Sequence, residues 1–180
     1  MAKESIKTKK GFTIIEVVLV LAIAGLIFLM VFVALPALQR SQRDTQRRDD
    51  MARFASQLNQ YQANNGGKVP DQGGTNSGTW NDKFVKPYLQ VQKTDDGTTK
   101  SEDSFVDPSG EDYKVASVTK CVSGNDGCKQ ASVNDDYKFG TIRVYTNAKC
   151  NGEDPEYIKG DRKIAFTYKL EGAGTYCGNN

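Results

Sequence analysis

The chain has 180 residues, enough for one globular domain with an appendage, and its formal net charge of +2 is too small to indicate nucleic acid as the main partner. It contains no histidine, which removes the commonest general base and the commonest metal ligand. The sequence also has neither a phosphate-binding loop nor a G-x-S-x-G nucleophile motif, so we predict that the protein is not an enzyme and needs no cofactor.

The N-terminal segment combines a basic start with a long apolar run. Residues 1–11 carry a net charge of +3, and no charged side chain occurs from Val17 to Leu35. A helix over residues 17–38 would be about 33 Å long, sufficient to cross a hydrocarbon core of about 30 Å. Glu16 lies at the start of this run, where a carboxylate inside the membrane costs roughly 2.5–3.5 kcal/mol. Such a carboxylate needs a function that offsets its cost.

Three kinds of segment could explain this N-terminus. A secretory signal peptide has an apolar centre of roughly 7–15 residues and small residues at its cleavage site, and this run is too long and lacks such a site before Gln39. A simple membrane anchor fits the length but gives Glu16 no role beyond reaching the interface. Cleavage between Gly11 and Phe12 would instead leave the apolar helix on the mature protein, headed by a free amine.

Residues 10–20 carry a specific resemblance. They read Lys-Gly-Phe-Thr-Ile-Ile-Glu-Val-Val-Leu-Val and resemble the class III leader motif of type IV pilins, K-G-F-T-L-I-E-L. The resemblance implies that a prepilin peptidase removes residues 1–11 after Gly11 and that the new terminus, Phe12, is N-methylated. It also implies that Glu16 pairs with the Phe12 amine of a neighbouring subunit, which would relieve the desolvation of both charges.

The implied function is that of a structural subunit of a type IV pilus, polymerising through its N-terminal helix into a surface filament for adhesion, twitching motility or DNA uptake. Its partners would be other pilin subunits, the prepilin peptidase, and an assembly machinery with motor ATPases, with nucleic acid left open. The chain would lie in the cytoplasmic membrane as a single-pass protein before it joins an extracellular pilus. Two alternatives stay open: a type II secretion pseudopilin, and a signal-anchored surface adhesin that never polymerises.

The helix is expected to extend from the transmembrane or filament-core segment, residues 12–38, into an amphipathic continuation over residues 39–64. Gly25 and Pro36 should disturb it, and in the family this segment is often unwound between a Gly and a Pro. A simple kink at Pro36 is the alternative. The continuation ends at a strong stop signal, Asn64-Asn65-Gly66-Gly67. Its apolar stripe consists of Met51, Phe54, Leu58 and Tyr61.

The charged stretch from Gln39 to Asp50 lies between the apolar run and the apolar stripe that begins at Met51. It reads as a solvated helix face with i,i+4 pairs such as Asp44–Arg48. In a filament, the same charges could instead lie at subunit contacts and fix orientation.

The remainder predicts a small sheet. Residues 65–112 form the αβ-loop region, with a short helical piece over Trp80–Leu89, and Phe105–Tyr113 resembles the turn that introduces the sheet in many pilins. Residues 113–180 then hold an antiparallel sheet with strands at 113–119, 139–145 and 164–170. The expected fold is α+β: the pilin lollipop, a long N-terminal helix packed on this sheet. The segment Leu-Glu-Gly-Ala-Gly-Thr-Tyr-Cys at residues 170–177 resembles pilins of very small host-attached bacteria.

Four cysteines in the C-terminal third are the remaining candidate sites. Their even number behind a membrane-targeting segment favours two disulfides over a zinc site. Three connectivities are possible, and the resemblance to the C-terminal disulfide loop of pilins favours Cys121–Cys128 with Cys150–Cys177. No metal site is predicted; the acidic pairs Asp95-Asp96 and Asp135-Asp136, the calcium alternative, lack the spacing of an EF-hand.

Overall fold

The computed structural model describes residues 11–71, 74–90, 105–124, 128, 138–160, 162–172 and 174–180. The chain divides into two compact units, residues 1–40 and residues 41–180. Helix α1 spans Ile14–Asn64 and contributes residues to both units. The α+β class, with a long apolar N-terminal helix followed by a small sheet, is therefore confirmed.

Helix α1 includes Gly25 and Pro36 without interruption. The break expected between these residues is not seen in the isolated chain, and it stays a prediction for an assembled filament. The helix ends where the stop signal predicted, because Gly66 and Gly67 adopt positive φ angles of 65° and 78°. The Gly67 N–H donates to the carbonyl of Gln62 (2.6 Å), which satisfies one of the last carbonyls of the helix.

A short α2, Ser77–Trp80, leads into a π-helix, Asn81–Leu89. The carboxamide of Asn81 binds the backbone of Val115 in both directions, donating to its carbonyl (2.9 Å) and accepting from its N–H (2.8 Å). This side chain therefore takes the place of a neighbouring strand at one residue of a sheet edge.

The main sheet has four strands in the order β1-β2-β5-β6, with β1 at Lys114–Lys120, β2 at Thr141–Thr146, β5 at Ile164–Lys169 and β6 at Thr175–Asn179. Strands β2, β5 and β6 pair in antiparallel fashion, but β1 and β2 are parallel. The expectation of a purely antiparallel sheet was wrong for β1. Alternation of side chains does not determine strand direction, and the connection from residue 121 to 140 is long enough for a parallel crossover.

A second, two-stranded sheet was not predicted. Its strands β3, Ala148–Asn151, and β4, Asp154–Tyr157, form an antiparallel hairpin. The disulfides are Cys121–Cys128 and Cys150–Cys177, the connectivity that the resemblance favoured. All four cysteines lie in or against a small buried cluster with Tyr145, Ala148 and Ala165. The second disulfide thus attaches the hairpin to β6.

The main core lies between the second part of α1 and the sheet. Phe54 is fully buried at its centre, with ring centroids 4.8 Å from Phe166 of β5 and 5.2 Å from Phe84 of the π-helix. The predicted stripe faces this core: Met51, Phe54, Leu58 and Tyr61 are all buried. Residues 41–180 therefore form a helix-on-sheet unit with its own core.

Candidate assembly site at the start of the N-terminal helix

The segment before α1, residues 11–13, has no regular secondary structure and is exposed. Gly11, Phe12 and Thr13 are outside the helix and exposed, and the Phe12 side chain is 90% accessible. Among the described residues, apart from its chain neighbours, no atom lies within 4 Å of the position that a Cβ on Gly11 would occupy. The residues on both sides of the peptide bond between Gly11 and Phe12 are thus exposed, as cleavage by a protease requires.

Thr13 and Glu16 form a capping arrangement at the first turn of α1. Oε2 of Glu16 accepts hydrogen bonds from the Thr13 backbone N–H (2.9 Å) and from the Thr13 hydroxyl (2.7 Å). Thr13 immediately precedes the helix and Glu16 is its third residue, which are the spacings of a capping box. The capping role of Thr13 was not predicted, although the T-x-x-E spacing before an apolar run is a recognisable signal for it.

This capping leaves the carboxylate able to bind a further donor. Both bonds from Thr13 go to Oε2, and within the described part of the chain no bond engages Oε1. A carboxylate has about four acceptor positions, so a cation from outside the chain could bind Oε1 while the cap stays intact. Four residues after the proposed new terminus, the helix therefore presents an oriented negative charge.

The apolar surface that follows is fully uncovered. Large side chains from Val17 to Leu38 are all more than 45% exposed, and none of the most hydrophobic 18-residue window is buried. The helix is long and apolar enough to cross a membrane. A face of this size must be covered by lipid or by other protein, because burying it is strongly favourable in water.

Comparison with known families agrees with this geometry. Residues 6–32 match the family described as the prokaryotic N-terminal methylation motif. The chain carries the class III signal peptide of type IV pilins. The motif indicates a type IV pilin-like or pseudopilin precursor, and it implies processing by prepilin peptidase and assembly into pilus-like filaments. It indicates a structural protein family rather than an enzyme, and together with the apolar helix it indicates membrane anchoring before assembly. No curated protein and no solved structure matches the chain.

The protein also contains a partly buried ionic cluster, which we call the clamp: Asp44, Arg47, Asp107 and Glu171. Arg47 is fully buried. Its guanidinium contacts Asp107 (Nε to Oδ2, 2.7 Å), Glu171 (2.8 Å) and Asp44 (2.9 Å). The stretch 39–50 was expected to be a solvated face, and for Arg47 that expectation was wrong. Asp44 pairs with Arg47 one turn away rather than with Arg48.

The carboxylates of the clamp are held in their ionised forms. Burial alone would raise the pKa of Asp107, but hydrogen bonds from Arg47, Ser109 and Tyr168 outweigh it and place the pKa well below its ordinary value. The pKa of Glu171 is lowered first by its hydrogen bonds from Arg43. Groups with depressed pKa values stabilise the fold above their unfolded pKa, so this contribution is lost only as the pH falls through the depressed values.

The clamp fixes the β5–β6 turn on helix α1. Asp44 accepts the backbone N–H groups of Glu171 (2.9 Å) and Gly172 (2.8 Å), while Arg43 binds the Glu171 carboxylate through two nitrogens. The sequence held a signal for this burial, because Arg47 lies four residues before Met51 and so continues the apolar stripe.

The pKa of Asp50 is shifted in the opposite direction to those of the clamp carboxylates. Its carboxylate accepts from the Tyr113 hydroxyl (3.0 Å), and burial raises its pKa. A raised pKa means that the charged form of Asp50 is disfavoured in the folded protein.

The calcium alternative is untested, because Asp95, Asp96, Asp135 and Asp136 lie outside the described residues. Over the ranges that the structure describes, no group of three or more potential metal ligands occurs.

Proposed function

We propose that this protein is a type IV pilin, the structural subunit of a surface filament for adhesion, twitching motility or DNA uptake. Residues 1–11 are a leader, which a prepilin peptidase removes after Gly11, and the new terminus at Phe12 is then methylated. Residues 12–38 form the membrane and filament-core helix, and 39–64 its amphipathic continuation. Residues 65–112 are the αβ-loop region and 113–180 the sheet with its disulfide loop.

The observation that carries the proposal is the oriented Glu16 carboxylate at the head of an exposed apolar helix. In the membrane, that carboxylate is costly because few partners are available to it. On a growing filament, Oε1 accepts the Phe12 amine of a neighbouring copy, while Thr13 keeps Oε2 in place. The pair attracts strongly in apolar surroundings, and each charge relieves the desolvation of the other.

The same geometry favours an open assembly. The amine belongs to residue 12 and the carboxylate to residue 16, so each copy offers a donor to one neighbour and an acceptor to another. Such a head-to-tail contact propagates as a helical filament unless the rotation closes. Motor ATPases in the cytoplasm would drive addition and removal of subunits, and the assembled pilus would be extracellular.

A type II secretion pseudopilin is the second candidate, since the methylation motif occurs in those precursors too. The two disulfides attached to the sheet favour a pilin, because each is expected to contribute about 2–4 kcal/mol to a domain exposed outside the cell.

The test is to count surface filaments in cells that express Glu16→Ala or Glu16→Gln. The Gln variant keeps a carbonyl acceptor for Thr13 but lacks the charge, so it separates the cap from the ion pair. We expect normal cleavage of the leader and a loss of filaments of at least tenfold in both variants. Asp49→Ala, an exposed acid on the same helix, should assemble normally. Normal filament numbers in Glu16→Gln would refute the ion pair.

A further inference from the structure

A polar groove of about 410 Å³ lies on the face of the main sheet that is turned away from α1. The floor consists of Arg143 and Tyr145 from β2 and Lys169 from β5. Thr175 of β6 lies at one side of the groove. The tip of the β3–β4 hairpin supplies the wall through Glu153 and Asp154. The volume falls within the range of roughly 300–1,000 Å³ that is typical of ligand sites.

The wall of this groove is held in place independently of any ligand. Oε2 of Glu153 accepts the Thr175 backbone N–H (3.0 Å), and the Cys150–Cys177 disulfide ties the hairpin to β6. Gly174 has a φ of +92°, and a Cβ there would lie 2.7 Å from Oε1 of Glu153. The carboxylate thus packs on a residue that has no side chain. A site that is already ordered loses less entropy when a ligand binds.

The charges that line the groove balance, so they favour no ion of a single sign. The floor carries two cations and the wall carries two carboxylates, so an ion of either sign meets like charge. A hydroxyl group both donates and accepts, and hydrogen bonds to charged groups are stronger than those between neutral groups. A neutral ligand with several adjacent hydroxyls can therefore accept from Lys169 and donate to Asp154 at the same time.

We propose that this groove binds a neutral saccharide, of a size of roughly two sugar rings. Exposed polar sites of this kind bind weakly, and we expect a Kd on the order of 1 mM for one chain. In a filament, the groove would recur on every subunit, and multivalent contact would strengthen attachment to a saccharide-coated surface. That gain rests on the proposed function, whereas binding by a single chain does not.

The test uses the full chain in dodecylphosphocholine micelles, whose headgroup contains no sugar. Saturation-transfer NMR measures binding of cellobiose, lactose and N,N′-diacetylchitobiose at concentrations well above the expected Kd. The test variant, Lys169→Ala with Asp154→Ala, removes one cation and one acid from the groove. The matched control, Lys149→Ala with Glu156→Ala, removes an exposed ion pair from the same hairpin outside the groove.

We expect at least one disaccharide to bind the wild type and the control equally, with the test variant weakened at least tenfold. Added salt should change this binding little, because the ligand carries no charge. The proposal is overturned if none of the three disaccharides binds, or if the test variant binds as well as the control. It is also overturned if salt abolishes binding of the disaccharide, since that would show that ions occupy the groove in its place. None of these outcomes bears on filament formation, which the Glu16 variants test separately.

Discussion

Replacing Arg47 with Met should strongly destabilise the unit formed by residues 41–180. Met has a similar length but carries no charge, so the Asp107 carboxylate would stay fully buried without its cation. Removing one partner of a buried ion pair typically costs about 3–5 kcal/mol. The Ser109 N–H (2.8 Å) and the Tyr168 hydroxyl (2.6 Å) still bind Asp107, which favours the lower end of that range.

The loss is measured by thermal unfolding of the full chain in micelles, followed by near-ultraviolet circular dichroism. For a unit of this size, about 3 kcal/mol corresponds to a fall in Tm of roughly 10 °C. Arg48→Met is the matched control, because Arg48 is exposed on the next position, and it should change stability by less than about 0.5 kcal/mol. If Arg47→Met and Arg48→Met have the same Tm, the clamp does not stabilise the fold. Arg47→Lys, which keeps the charge, should lie between them.

Three further predictions concern other parts of the chain. Thr13→Val removes the hydroxyl that binds Glu16, and we expect severalfold fewer filaments, with Thr13→Ser normal. Loss of the Cys150–Cys177 disulfide in a double Ser variant should cost about 3–4 kcal/mol by loop-closure entropy, measured by denaturant unfolding. Asp50→Asn should raise stability at pH 7, because burial raises the pKa of Asp50 and its charged form is disfavoured. This advantage should shrink as the pH falls through the raised pKa, and it should be lost once the pH is below the ordinary Asp pKa.

Each of these has an outcome that contradicts it. Equal filament numbers in the Val and Ser variants of Thr13 would show that the Thr13 hydroxyl does not contribute to assembly. The Cys121–Cys128 disulfide closes a shorter loop, so its removal should cost about 1 kcal/mol less, and the reverse order would contradict the entropic argument. For Asp50→Asn, a gain in stability that increases as the pH falls would show that the sign of the pKa shift is wrong.

Local patterns predicted the elements whose structure depends on neighbours in sequence. The stripe from Met51 to Tyr61 and the two glycines after Asn64 determine the face and the end of α1. The three predicted strands match β1, β2 and β5 within two residues at each end. Strand β4 was missed because Pro155 argues against a strand, although a short hairpin outside the main sheet tolerates it.

The clamp depends on residues that are far apart in sequence, and no local pattern specifies such partners. Arg47 lies 60 residues from Asp107 and 124 from Glu171. In isolation, the stretch around Arg47 has the composition of a solvated helix face, and the segments that carry Asp107 and Glu171 make Arg47 a core position. At the N-terminus, by contrast, Thr13 and Glu16 interact within one helical turn, so that site could be predicted from the sequence.

The central claim is that the mature protein begins at Phe12 and retains its apolar helix. Intact-protein mass and N-terminal sequencing of the membrane form test it most directly. We predict a chain that lacks residues 1–11 and carries one methyl group on the Phe12 amine. A membrane form that retains residues 1–11, or one cleaved after the apolar helix, would contradict the account.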